Sequence, residues 1–156
     1  MKWFACKQLH DNFLPRMNNL PTPRTQAAWR TVEKWTQYLH QGDIDSILLL
    51  FCENDNAFWG TFATHMRHTR AELRTYYDQF LDVEEITCRI SDYSAREITN
   101  DIVSFTGIYE FDIIKEKGDP MTTTLARFTF TIRHDNIDNR WMFVEHHSSL
   151  MPENGF

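Results

Sequence analysis

Five polar side chains stand in a row near the C-terminal end of the sequence: Glu145, His146, His147, Ser148 and Ser149. Their surroundings read as a buried strand. Trp141, Met142, Phe143 and Val144 precede them, aromatic, flexible or β-branched as on a strand covered on both faces. Leu150 and Met151 resume the apolar pattern and Pro152 stops it. Imidazoles and hydroxyls move protons near neutrality: a histidine titrates near about pH 6.5, and a Ser or Thr hydroxyl both donates and accepts. Strand side chains alternate, so His146 and Ser148 point one way while Glu145, His147 and Ser149 point the other. Either face thus carries a His-x-Ser pair about 7 Å apart at roughly 3.3 Å per residue. Polar groups on a core strand must find partners or face a cavity.

Which face is inside stays open at this level. Met142, Val144 and Leu150 share parity with His146 and Ser148, and would make the drier wall. Trp141 and Phe143 share parity with His147 and Ser149. Both sets are apolar enough to be buried, which predicts that the outer face of the sheet meets a second subunit in a homodimer. A His-His pair also has a purely structural reading, with one ring satisfied internally and one solvated. Other candidates are weaker. His65-x-x-His68 has helical ligand spacing but no third ligand, and reads as two solvated loop histidines. Cys6, Cys52 and Cys88 form no C-x-x-C and no even framework, so they read as buried small hydrophobes or free thiols. Neither a metal nor a cofactor is expected. Arg127 and Arg133 are expected to pair with acids on the outer face.

The elements that would position these residues are legible in order. Residues 1–21 read as an N-terminal extension, in which Phe4, Cys6, Leu9, Phe13 and Leu14 would suit a short helix; residues 22–156 read as a single domain. Thr22-Pro23 starts a helix, with a capping hydroxyl and a proline in the first turn. Ala28, Val32, Trp35 and Leu39 follow at helical spacing until Gly42. Asp43 caps a short second helix through Leu50. Ala57–Phe62 is expected to be a strand. Thr69, with Glu72 three residues on, caps a third helix whose apolar face is Leu73, Tyr76, Tyr77, Phe80 and Leu81. The period then switches to two, with strands expected over Glu84–Ile90, Ile98–Ile114, Thr122–Arg133 and Arg140–Leu150. Lys117–Pro120 and His134–Asn139 supply turns. Helices followed by a run of antiparallel strands mean an α+β fold.

The whole chain sets limits. Its 156 residues suffice for one domain with a real core. A net charge of −6 and no basic run argue against nucleic acid as a partner. The longest apolar run, Ile47–Cys52, is too short to cross a bilayer, so no membrane partner is expected. The interrupted N-terminus lacks a signal-peptide core, which predicts a cytoplasmic protein unless the chain is already processed.

Three helices followed by a meander ending in Trp141-x-x-Val144-x-His146-His147-Ser148-Ser149-x-Met151-Pro152 resemble the nuclear transport factor 2-like superfamily. That resemblance implies a cone, with a strongly bent antiparallel sheet wrapped around a pocket roofed by helices. Within it, GIYEF (Gly107–Phe111), ARFTF (Ala126–Phe130) and VEHHSSLMPE (Val144–Glu153) resemble the iota-class carbonic anhydrases, across roughly residues 27–153. This implies a metal-independent lyase acting on carbon dioxide and bicarbonate. It also implies a catalytic threonine, tyrosine, histidine and serine, which fall on Thr61, on Tyr76 or its neighbour Tyr77, and on the His146–Ser149 tract. The drier wall favours His146 and Ser148, which makes Thr61, Tyr76, His146 and Ser148 the expected catalytic set, with Tyr77, His147 and Ser149 against the substrate. The chain departs from the family at Trp59-Gly60-Thr61-Phe62, which keeps Thr61 between bulky neighbours. The resemblance and the flanking serines turn the His-His pair toward a site. The alternative is a non-enzymatic ligand-binding or oligomerisation module like the association domain of calcium/calmodulin-dependent protein kinase II. A hydratase or isomerase with a buried carboxylate base ranks last, because Glu84, Glu85, Glu110, Asp112 and Glu145 offer no clear base.

Overall fold

Local capping chemistry fixes the helices. In the computed structural model, which describes residues 16–17 and 20–154, α1 spans Pro23–Gln41. The Thr22 side chain accepts from the Thr25 N–H at its start, and Gly42 caps its end. Its buried stripe, Ala28, Val32, Trp35 and Leu39, follows the helical repeat and faces the sheet. Asp43 caps the short α2, Ile44–Leu49. The reciprocal Thr69–Glu72 box opens α3, Arg70–Phe80, which buries Leu73, Tyr76 and Tyr77.

The strands are β1 (Arg16–Met17), β2 (Ala57–Trp59), β3 (Glu85–Glu97), β4 (Ile102–Ile114), β5 (Thr122–Asp135) and β6 (Arg140–Leu150). They form one sheet in the order β1-β3-β4-β5-β6-β2. The four long strands are antiparallel, and the short edge strands pair in parallel. The α+β class expected from the sequence is what the chain adopts. Several boundaries differ. Strand β3 runs on to Glu97, and β4 starts at Ile102 rather than Ile98. Strand β2 stops at Trp59, so Thr61 lies in the turn beyond it. Strand β1 falls within the stretch assigned to the N-terminal extension, while the helix expected over Phe4–Leu14 lies outside the described residues.

Two irregularities bend the sheet and set its faces. Ile90 pairs with Tyr109 while Asp92 pairs with Ile108, so Ser91 is an extra residue in β3. Opposite the bend, a Cβ on Gly107 would lie 2.2 Å from the Asp92 carbonyl oxygen and 2.8 Å from the Tyr93 Cβ. Only glycine lets the strands approach so closely. In β6, Glu145 pairs with Thr131 but Phe143 pairs with Ile132, which leaves Val144 as the extra residue. This bulge corrects the parity expected from sequence. Phe143 joins His146 and Ser148 on the inner face, and its ring packs against those of Trp35, Phe130 and His146. Leu150 is half exposed and does not extend the dry wall.

The correction reaches the homodimer argument. With Phe143 inside, the outer face of β6 carries Glu145, His147 and Ser149. Glu145 accepts from Thr131 at 2.6 Å, and Ser149 accepts from Arg127 at 2.9 Å. Nearby on the outer face, Arg89 pairs with Glu110 at 2.9 Å and with Asp112. An apolar outer wall that would require a second subunit is not what these residues make. Arg127 therefore bonds a serine rather than the acid expected, whereas Arg133 does pair with Asp55 at 2.8 Å. Inside, Trp35, Phe51, Phe58, Tyr77, Tyr109, Phe130 and Phe143 are fully buried. Among the described residues no helix is long and apolar enough to cross a membrane.

Candidate functional site

The site is built where the turn after β2 meets the end of β6. Strand β2 runs parallel to β6 with Phe58 opposite His146 and Trp59 opposite His147, so the chain leaving β2 passes beside Ser148. Backbone bonds between Phe58 and Arg67 and from Ala63 N–H to the Gly60 carbonyl close this turn. The Thr61 hydroxyl lies 2.5 Å from that of Ser148. Tyr109, from the middle of β4, donates its hydroxyl to Ser148 and lies 3.2 Å from the Thr61 hydroxyl. Three hydroxyls from three elements thus form a closed trio. Each can donate once and still accept, so the ring is satisfied within itself. Burial pushes the Tyr109 phenol up, which keeps its proton in place as a donor.

His146 adjoins the trio, two residues before Ser148 on the inner face. It is 3% exposed and sits among the rings of Trp35, Phe51, Phe58 and Phe130, at 4.6 to 6.4 Å between centroids. Neither ring nitrogen has a hydrogen-bond partner among the described protein atoms. Burial, with a smaller contribution from the charge of His147, pushes the imidazole down to about 3. The ring is therefore neutral at physiological pH, with one nitrogen free to accept a proton.

The remaining expected site residues are placed differently. His147 and Ser149 lie on the opposite face of β6 from His146 and Ser148, so neither shares the inner cavity expected for it. The physical reason is plain strand alternation, since the register is unbroken from Glu145 to Ser149. Tyr77 is fully buried and its hydroxyl accepts from the Trp35 indole N–H at 3.0 Å. It is a core aromatic with its polar tip satisfied, not a group facing substrate. Tyr76 does not join the trio. Its ring covers Gly60, where a Cβ would lie 2.3 Å from Cζ and 2.6 Å from the hydroxyl. Its hydroxyl lies against the backbone N–H groups of Phe62 and Thr61, and burial pushes the phenol up. Tyr76 thus braces the turn that carries Thr61.

Tyr109 is the member of the trio that sequence reasoning missed. The signal was there in Gly107-Ile108-Tyr109-Glu110-Phe111: a tyrosine in step with Phe105 and Phe111 on the inner face must bring its hydroxyl to a partner. Among the described residues no carboxylate joins this inner wall. Asp112, the one buried acid among the described residues, is held on the outer face by Arg89 and by Thr123 at 2.6 Å.

The helices, the bent sheet and a polar site at the end of its last long strand define a nuclear transport factor 2-like fold. The chain belongs to the SnoaL-like domain family, whose profile matches residues 30–153. Solved structures share the fold. One, provisionally described as a calcium/calmodulin-dependent protein kinase II association domain from Xanthomonas campestris, is 23% identical with a TM-score of 0.75, covering 86% of this chain and 91% of its own. Another, provisionally described as a dehydratase of the NTF2-like family from Streptomyces avermitilis, is 16% identical with a TM-score of 0.73, covering 83% and 99%. A third, a ketosteroid isomerase-like protein from Erwinia carotovora atroseptica, is 11% identical with a TM-score of 0.69, covering 83% and 98%. No curated protein matches the chain in sequence. The fold is thus found under descriptions that include dehydratases, isomerases and association domains.

Proposed function

We propose that this chain is a metal-independent carbonic anhydrase that hydrates carbon dioxide to bicarbonate at the Thr61–Tyr109–Ser148 trio beside His146. The observation that carries the reading is the inner wall itself, which offers three hydroxyls and a neutral imidazole but no carboxylate among the described residues. Proton abstraction by a carboxylate, or dehydration driven by one, lacks its base there. Hydrating a neutral electrophile needs less: one acceptor for a proton and donors for the developing charge. The tract Val144–Glu153, with its resemblance to the iota-class enzymes, supports the same reading.

In this mechanism a water oxygen bonds to the carbon of carbon dioxide, and one C=O electron pair moves onto oxygen. The water proton passes to the free nitrogen of His146. The trio opens one of its internal hydrogen bonds and turns that donor toward the oxygen gaining charge. Bicarbonate and a protonated imidazole result. The aromatic cage disfavours that imidazolium, since a shift from 6.5 to about 3 corresponds to roughly 5 kcal/mol. The adjacent bicarbonate charge offsets this while product is bound. Once product leaves, the proton is expelled to solvent and the neutral base is restored.

Stopped-flow hydration of carbon dioxide by chelator-treated protein tests the proposal. The wild type should exceed the buffer rate, and Ser148→Ala should lose about 2–4 kcal/mol of transition-state stabilisation, or some hundredfold in rate. A wild-type rate equal to buffer would replace this reading with a ligand-binding module.

A further inference from the structure

Beside the trio, α3, the turn after β2 and the adjoining ends of β4 and β5 enclose a groove of about 510 Å³. None of Thr61, Tyr109, His146 or Ser148 lines it. One wall is aromatic: the Tyr76 and Phe80 rings stack at 5.4 Å, and Phe62 approaches Phe80 at 5.9 Å. Phe62 is nevertheless 47% exposed. The opposite character comes from Arg67 and Lys115, and among the described residues no acidic side chain lines the groove. That runs against the chain as a whole, in which 22 acidic residues outnumber 16 basic ones.

Arg67 is the telling residue. It is 5% exposed, yet its direct contacts are neutral, and the Glu72 carboxylate, which feels its charge, does not pair with it. Its Nε donates to the Thr75 hydroxyl at 3.2 Å and one terminal nitrogen donates to the His65 carbonyl at 3.3 Å. The guanidinium carbon sits 5.5 Å from the centre of the Tyr76 ring. No carboxylate pairs with it among the described residues. Arginines are almost never this buried without a counter-ion, because desolvating the charge is costly. Neutral acceptors and a π face hold such a cation in place without cancelling its charge.

We propose that the groove binds a small organic monocarboxylate with an aromatic or short aliphatic body. Its carboxylate pairs with Arg67 and Lys115, and its body covers Phe62, Tyr76 and Phe80. The apolar wall selects against inorganic anions, and the cations select against neutral analogues. The site stands independently of the hydration chemistry.

Titration calorimetry on the full chain with phenylacetate, phenylacetamide and bicarbonate tests this. Phenylacetate should bind saturably, with phenylacetamide and bicarbonate each at least about tenfold weaker. Arg67→Met should cost phenylacetate about tenfold or more, and the exposed-site variants Lys115→Gln and Phe62→Ala a few-fold each, roughly threefold. If Arg67→Met does not fold, the other two variants decide. Equal binding of acid and amide, no phenylacetate binding up to about 10 mM, or unchanged affinity in both Lys115→Gln and Phe62→Ala would overturn the proposal.

Discussion

Replacing His146 with leucine should stabilise the fold, and the gain should grow as the pH falls. Leucine is close to histidine in size and suits a cage of Trp35, Phe51, Phe58 and Phe130. The change removes two buried nitrogens without protein partners, each costing about 1–3 kcal/mol when unsatisfied. It also forfeits edge-to-face ring contacts worth about 1 kcal/mol. A net gain of about 1–5 kcal/mol near pH 7.5 follows. The pH dependence is sharper. The folded imidazole is pushed down to about 3 from 6.5, so below pH 6.5 the unfolded chain takes up a proton that the folded chain refuses. The wild type keeps full stability above that value and loses it as the pH falls toward 3, by at most about 1.4 kcal/mol per unit. Between pH 6.5 and about 4.5 this amounts to roughly 2 kcal/mol, a loss the variant escapes. Other titrating groups are common to both proteins and cancel. Urea denaturation of both at several pH values measures the gap directly. Parallel stability curves would refute the assignment of His146 as a buried neutral ring, and a strongly destabilised variant would show its nitrogens to be well satisfied.

Further consequences can be checked by the same urea denaturation. Gly60→Ala places a methyl group inside the Tyr76 ring and should cost about 1–3 kcal/mol, because that ring is held on its other side by Phe58 and Phe80. Tyr77→Phe leaves the Trp35 indole N–H buried without its acceptor and should cost about 1–2 kcal/mol. Thr69→Ala removes half of a reciprocal cap, and urea denaturation should show a loss of about 1 kcal/mol. His147→Ala, on the exposed outer face, should change stability by no more than about 0.5 kcal/mol and leave hydration at the wild-type rate.

What could be read from sequence was what is encoded locally. Thr22-Pro23, Gly42, Asp43 and the Thr69–Glu72 pair fixed three helices because capping is a matter of neighbours three residues apart. Arg140–Leu150 was legible as a strand from its ends, but its faces were not. The bulge at Val144 depends on where β5 falls in register, and nothing in Trp141–Glu145 announces it; it alone moved Phe143 to the inner face. Edge strands of two and three residues carry too few side chains to show a period, which is why β1 went unread and β2 was drawn too long. His146 and Ser148 stood out as polar residues in an apolar setting, and Thr61 was reached only through the family resemblance. Tyr109 did not, because a tyrosine among phenylalanines looks like core until the partners of its hydroxyl are brought to it from 39 and 48 residues away.

The central claim is that a hydroxyl trio containing Tyr109, rather than the helix tyrosine Tyr76, serves carbon dioxide hydration. Loss of oxygen-18 label from bicarbonate, followed by membrane-inlet mass spectrometry on the wild type, Tyr109→Phe and Tyr76→Phe, tests it most directly. Tyr109→Phe should slow exchange about a hundredfold, while Tyr76→Phe, which keeps the ring that braces the turn, should stay within about threefold of wild type. Exchange at the uncatalysed rate in the wild type, or a loss in Tyr76→Phe that exceeds the loss in Tyr109→Phe, would contradict the account.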